Sequence, residues 1–321
     1  MTRRMPAAID ASSSKVFAIV VTFFPNANAL NALLESLLIQ VNGGVVVDNT
    51  PGDSARITEM LCSSRERFPW LQLVALGENR GIAAAQNLGI RMAIDQGYGY
   101  VLLSDQDSRP DASMVAALLA TTEELQAMRI NVGCVCPAYF DEVTGQAFRF
   151  QVQPPGRIFY STLPGDQAMP WVEIVSAISS GSLIPTATLR AVGGMREDFF
   201  IDDVDTEWCH RARAKGFTNF GTARASLVHR LGDAPFRIWW FGWREMSEYS
   251  TTRLYYRFRN FVLMARLQHV PWRWCVRAAW YWMGNLYAHC FFASRRRENA
   301  KAIARGLRDG WLGRSGPMPA P

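Results

Sequence analysis

The feature that most constrains this chain is an alternation. Before residue 130, short apolar runs closed by a polar or turn-forming residue give way four times to stretches of helical periodicity. "KVFAIVVTFFP" (Lys15–Pro25), "GGVVVDNT" (Gly43–Thr50), "LQLVALGEN" (Leu71–Asn79) and "YVLLSD" (Tyr100–Asp105) have the length and apolar content of buried strands. Helical patterns cover residues 28–40, about 54–68, 81–97 and about 111–128. This order predicts an α/β fold: a mostly parallel central sheet, right-handed crossovers and helices on both faces. Open sheets of that kind bind ligands beyond the carboxyl ends of their strands. Asp48, Asn79, Asp105 and Asp107 stand at those ends.

The middle of the chain is less regular. "VGCVCPAYFDEVTGQAFRFQVQPPG" suggests strands and a hairpin. "WVEIVSAISSGSLIPTATLRAVGG" suggests a strand, a Ser/Gly-rich loop and a short helix. "EDFFIDDVDTEWCHRARAKG" crowds acids into a turn before a helix that ends at Gly216, and "ASLVHRLGD" is a late strand carrying His229.

Composition matters at two points. With 49% apolar and 19% charged residues the chain can bury a core and is not disordered. Its net charge of +6 is unevenly spread: from Pro235 onward there are 15 Lys/Arg against 4 Asp/Glu, and eight of the eleven tryptophans. The domain expectation follows: a flexible N-terminus over 1–14, a catalytic domain over 15–234, a helical basic-aromatic extension over 235–312 and a disordered tail over 313–321. The six cysteines lack zinc spacing and are expected to be reduced thiols of a cytosolic protein. "MTRRMPAAIDASSSK" lacks the apolar stretch of a signal peptide. No nucleic-acid motif accompanies the basic tail, so nucleic acid is not expected.

Three constellations carry chemistry. Asp105-Gln106-Asp107 places two carboxylates where a buried strand emerges. Hard divalent cations take oxygen ligands and keep open positions for phosphate, although an Asx turn with a helix cap would use the same residues. "ENRGIAAAQNLGI" puts Arg80 and Gly81 at a helix start, where backbone N–H groups favour anions; Ala83, Ala84 and Ala85 allow close approach. In "FFIDDVDTEWCHR", Asp202, Asp203, Asp205 and Glu207 exceed what capping needs, and crowding beside apolar residues raises a carboxylate pKa toward that of a general base. A lone histidine is more often a core residue, but His229 near Asp-x-Asp is a candidate third ligand.

The segments "VVTFFPN", "VVVDNT", "ENRGIAAAQNLGI", "LLSDQDSRP", "GSLIPTATLRAVGGMREDFFIDDVDTEWCHRARAKG" and "LVHRLGD" resemble, in order, the inverting glycosyltransferases of family 2, which have the GT-A fold. They look most like the bacterial rhamnosyltransferase branch, which transfers L-rhamnose from dTDP-L-rhamnose. Ser104 departs from that branch, which usually has Asp there; both acids of Asp-x-Asp are present. The resemblance implies that Thr22, Phe23 and Asp48 line the nucleoside pocket and that Asn79, Arg80 and Asn87 face the nucleotide. It implies Asp105 on ribose or metal, Asp107 and His229 on a Mg²⁺ or Mn²⁺ ion, and Asp205 as catalytic base. Glu207 would bind the acceptor, and Asp203 is the second candidate for the base. It further implies a lipid-linked or cell-surface glycan acceptor, as in O-antigen or lipopolysaccharide assembly, and a cytoplasmic protein peripheral at the inner face of the cell membrane. Within the extension, "WCVRAAWYWMGNLYAHCFFA" holds Arg277, Asn285 and His289 and makes a poor spanning helix; interfacial helices fit better, with Arg295-Arg296-Arg297 drawn to anionic lipid. Packing on the catalytic domain or on a second subunit would use the same residues. The same fold with a UDP-sugar donor, or a catalytically silent nucleotide-sugar-binding scaffold, are the alternatives.

Overall fold

The computed structural model describes residues 14–52, 54–142, 145–154, 161–164, 170–229, 235–239 and 242–319. Its first half runs β1 (Val16–Thr22), α1 (Ala27–Leu37), β2 (Gly43–Asp48), α2 (Ala55–Met60), α3 (Cys62–Arg67), β3 (Leu71–Ala75), α4 (Ile82–Asp95), β4 (Tyr100–Asp105), β5 (Arg109–Pro110) and α5 (Met114–Ala127). Next come β6 (Val132–Asp141), β7 (Arg149–Val152), β8 (Ser161–Pro164), β9 (Val172–Ile174), β10 (Leu183–Pro185), α6 (Thr186–Val192), α7 (Val204–Ala214) and β11 (Thr218–His229). The chain closes with β12 (Pro235–Trp239), β13 (Trp243–Ser247), α8 (Thr251–Ala265), α9 (Trp272–Phe291) and α10 (Arg296–Trp311).

One sheet has the order β3-β2-β1-β4-β10-β6-β11-β5, with β9 pairing β11. The first four strands are parallel, as their crossover helices require. Every residue of β1 is buried, which explains its unbroken apolar run. α4 lies close on β1: a Cβ at Gly89 would come within 2.6 Å of Ile19. Buried Ala83, Ala85 and Ala93 keep that approach open along the helix.

The middle of the sheet breaks the parallel pattern. β10 runs antiparallel to both β4 and β6, a reversal that helical periodicity cannot announce. It sets the loop entering β10 beside the end of β4. Three further departures from the sequence reading have local causes. The helix expected over 54–68 is two helices, because Leu61 (ψ 0°) ends the first. The extension opens with the hairpin β12–β13 before its helices. The tail expected to be disordered is packed through Pro319: Gly316 N donates to Asp198 O at 2.6 Å, and Met318 N to the Tyr256 hydroxyl at 2.7 Å. Fully buried Arg259 also donates to Gly316 O. A buried guanidinium needs acceptors, and the tail carbonyl is one of them.

The α/β region before residue 235 and the extension share one core, in which Leu254, Phe258, Trp274, Trp282 and Ile303 join Phe17, Ile19 and Leu103. All six cysteines are free; Cys134 and Cys136 are buried on the same strand and Cys62 is exposed. Among the described residues no helix is long and apolar enough to cross a membrane.

Candidate active site

A cavity of about 660 Å³ opens at the carboxyl ends of β1, β2 and β4. Its wall includes Thr22 and Phe23 after β1, Asn49 after β2, Asn79 and Gly81 before α4, and Asp105, Gln106 and Asp107 after β4. Asp202 and Asp203 line it from the turn before α7, Asp205 from the first turn of that helix, and Arg253 and Arg257 from α8.

The β1–β2 side is held by side-chain hydrogen bonds. Thr22 and Thr50 hydroxyls donate to Asp48 Oδ1 at 2.7 and 2.8 Å. Asp48 is buried and holds Thr22 in place, while Thr22 and Asn49 line the wall. Asn49 donates to Asn79 Oδ1 at 2.9 Å and accepts from Arg80 N at 2.8 Å. Gln106, between the two acids, clasps the Phe23 backbone: its Oε1 accepts from Phe23 N at 2.7 Å and its Nε2 donates to Phe23 O at 3.2 Å. The β4 end is thereby fixed to the β1 end. Ser180 Oγ, from the loop entering β10, accepts from Asp105 N at 3.0 Å.

The acidic turn is strained and braced. Phe200, Asp202 and Asp203 all have positive φ, 67°, 61° and 58°, a region costly for residues other than glycine. Gly81 (φ 83°) nestles against Phe200, whose carbonyl a Cβ there would approach to 2.6 Å. From α8, Asn260 Nδ2 donates to Phe199 O, Ile201 O and Asp202 O at 3.1, 2.8 and 2.9 Å. These bonds hold the turn in its strained form.

The three carboxylates of the turn differ in state. Asp202 receives Arg253 and Arg257 at 2.8 and 3.2 Å. Burial works to raise its pKa, but the two guanidiniums outweigh burial and hold it below the usual carboxylate range. Asp203 is pushed up to about 7 by burial; Arg257 opposes this, and the charges of Asp202 and Asp205 add to it. Its Oδ2 is a buried oxygen with no hydrogen-bond partner among the described residues. Asp205 is raised by burial, while backbone N–H groups moderate the rise. Thr206 N donates to its Oδ1 at 2.7 Å and Ser179 N to its Oδ2 at 3.0 Å, so its carboxylate is aimed by the backbone.

Several residues singled out from sequence stand elsewhere. Glu207 does not line the cavity: it is fully buried, ion-paired with Arg211 at 3.0 Å and within hydrogen-bond distance of His269 Nε2 at 2.8 Å. Asn87 is buried against the Met195 backbone and Glu197. Arg80 is exposed beside Glu78, outside the cavity wall. His229 ends β11, and its side chain lies outside the described residues. Conversely, sequence reasoning passed over Asn49, Gln106, Ser179, Ser180, Arg253, Arg257 and Asn260. The Ser/Gly-rich loop and the i, i+4 arginines of α8 were the available signals.

A parallel sheet that ends in Asp-x-Asp, reverses at one strand and closes the cavity with an acidic turn is the GT-A glycosyltransferase arrangement. The family profile described as glycosyl transferase family 2 matches residues 18–167. A dTDP-rhamnosyl transferase, RfbF of Shigella flexneri, is 30% identical over 259 residues, 81% of this chain and 82% of that protein. The chain belongs to glycosyltransferase family 2 and is a glycosyltransferase. Solved structures with the same fold include a TarS fragment from S. aureus in complex with UDP-GlcNAc, at TM-score 0.56, 14% identity and coverage of 94% of this chain and 81% of that one. The mannosyltransferase PcManGT from Pyrobaculum calidifontis, in complex with GDP-Man and Mn²⁺, aligns at TM-score 0.53, 17% identity and coverage of 93% and 75%.

Proposed function

We propose that this enzyme transfers L-rhamnose from dTDP-L-rhamnose, with inversion, to a lipid-linked or cell-surface glycan. One observation carries the reading: a single cavity is lined by Asp105 and Asp107 at the end of β4 and by Asp203 and Asp205 at the start of α7. The 30% identity to a dTDP-rhamnosyl transferase supports this donor. Thr22, Phe23 and Asn49 would receive the nucleoside, with Asp48 holding Thr22 from behind, and Asn79 would sit beside the ribose or phosphates.

Asp105 and Asp107 fit a Mg²⁺ or Mn²⁺ ion, because both present hard oxygen donors to the cavity. Among the described residues no three His, Cys, Asp or Glu side chains converge on one point. Donor phosphate oxygens would thus share the coordination, with His229 available as a further ligand. When bound, the ion would neutralise charge gathering on the diphosphate leaving group. Arg257, whose Nη1 has no hydrogen-bond partner among the described residues, adds positive charge to the same cavity.

Asp205 would accept the proton of the attacking hydroxyl. Burial raises its basicity and two backbone donors fix its aim. Attack from the face opposite the diphosphate inverts the anomeric carbon in one displacement and requires no covalent enzyme intermediate.

The test is thermal melting with dTDP, UDP and GDP, each with and without Mn²⁺, since a ligand of the folded state raises its melting point. A Mn²⁺-dependent shift selective for dTDP is the expected result. Selectivity for UDP would replace the donor, and no shift with any of the three would remove the donor-site reading of the cavity.

A further inference from the structure

The exposed apolar side chains of the extension are arranged in a stripe. Trp272, Val276, Trp280, Met283, Leu286 and Phe291 of α9 are all exposed, between 38% and 67%. At about 100° per residue they occupy one face of roughly 140°, and the 20-residue helix makes it about 30 Å long. No charged residue falls inside the face; Arg273 and Arg277 lie along one edge. The opposite side of α9 is buried in the core through Trp274, Ala278, Trp282 and His289.

The stripe continues onto the β12–β13 hairpin. The Tyr287 hydroxyl donates to Trp239 O at 3.4 Å, and Trp239 and Trp243 are exposed, the latter with the Arg237 guanidinium 5.3 Å from its ring centre. Exposed Arg295, Arg296 and Arg297 follow the carboxyl end of α9. Soluble monomers rarely leave a contiguous apolar surface of this extent uncovered.

We propose that this face of α9, with the tip of the hairpin, lies in the headgroup region of an anionic phospholipid bilayer. Charge decides the occupant. The apolar face is rimmed by arginine, in a region with 15 Lys/Arg against 4 Asp/Glu. A second copy of the chain would bring the same positive rim against itself, whereas anionic headgroups neutralise it. Tryptophan and arginine side chains, apolar along their bodies and polar at their tips, suit that depth. The helix lies on the bilayer and does not cross it. The inference deepens the proposed function and rests on its reading of the acceptor as membrane-anchored: Trp282, on the buried side of α9, stands 5.4 Å from the Arg257 guanidinium, and Arg257 lines the cavity. A bilayer-bound α9 would hold the cavity one side chain away from the helix that carries it.

Co-sedimentation of the full chain with phosphatidylcholine vesicles, with and without phosphatidylglycerol, tests the proposal. Binding is expected to the anionic vesicles and to weaken severalfold as NaCl is raised. Trp280→Glu with Met283→Glu should lower the partition coefficient about tenfold or more, while the melting shift with dTDP stays that of the wild type. Arg295→Glu/Arg296→Glu/Arg297→Glu should remove most of the salt-sensitive part. Wild-type protein left in the supernatant with both vesicle types would overturn the proposal. So would a stable dimer by light scattering that Trp280→Glu/Met283→Glu converts to monomer, since a second copy would then cover the face. Vesicle binding without any nucleotide-induced shift would leave the surface standing and remove the proposed donor-site reading of the cavity instead.

Discussion

Asp203 and Asp205 stand two residues apart in one turn and are satisfied to opposite degrees. Asp205 is aimed by two backbone donors, whereas Asp203 carries a buried oxygen that has no partner among the described residues and is pushed up to about 7. Asp205→Asn keeps shape but cannot take a proton, so turnover should fall by about 10²–10⁴-fold with nucleotide-induced melting shifts unchanged. Normal turnover in that variant would pass the role to Asp203. Asp203 also makes a prediction about stability. Unfolded, it ionises near the ordinary value of about 3.9; folded, near 7. Between those values the native state keeps a proton that the unfolded chain has released, so stability falls as pH rises through the window and levels off above it. Asp203→Asn should therefore melt progressively higher than wild type from pH 4 to pH 7, with a constant gap above. A gap independent of pH would mean that Asp203 is not held protonated. The acids of the turn were legible in sequence because so many lie in so few residues. Which of them face the cavity was not: Glu207 turns away from it, to Arg211 on the same helix and to His269, 62 residues further along the chain.

Among the elements, α8 is the one that sequence placed least well. By composition it belongs to the basic extension, yet Arg253 and Arg257 line the cavity and Asn260 braces the strained turn. Arginines at i and i+4 on an amphipathic helix suit a solvated face equally well, and only the position of Asp202 gives them another role. Asn260→Ala would remove the side-chain donor to Ile201 O and Asp202 O and leave Phe199 O with Arg259 alone. A loss of ~1–3 kcal/mol in urea unfolding is expected, together with reduced turnover as the turn relaxes from its positive φ values. Asn260→Asp should not rescue either property, because a carboxylate cannot donate to carbonyls. The strand ends of β1, β2 and β4 were legible because a fully buried parallel strand writes itself as an unbroken apolar run. The antiparallel β10, only three residues long, left no such mark.

For the whole molecule, the boundary expected at residue 234 proves to be a seam inside one core. A fragment ending there would lose Asn260, the two cavity arginines and the apolar partners of the acidic turn. It should show no cooperative thermal transition by circular dichroism and no nucleotide-induced shift; an intact transition would make the extension a separable domain. The basic, Trp-rich extension was legible as different in kind, but not as a wall of the cavity, because composition carries no information about packing partners. A last consequence follows from the reversal of the sheet at β10. Antiparallel pairing sets the exit of β4 beside the entry to β10, so Ser180 meets Asp105 while its neighbour Ser179 meets Asp205. Residues 179–205 are thus one uninterrupted length of polypeptide that carries every carboxylate of the acidic turn and is tied to the strand ends through Ser180 and through the contact of Gly81 with Phe200. In the currency of inheritance, that stretch is a cassette: a single crossover event at each of its borders could exchange the acidic turn for a relative's while the strand ends of β1, β2 and β4 are passed on unaltered.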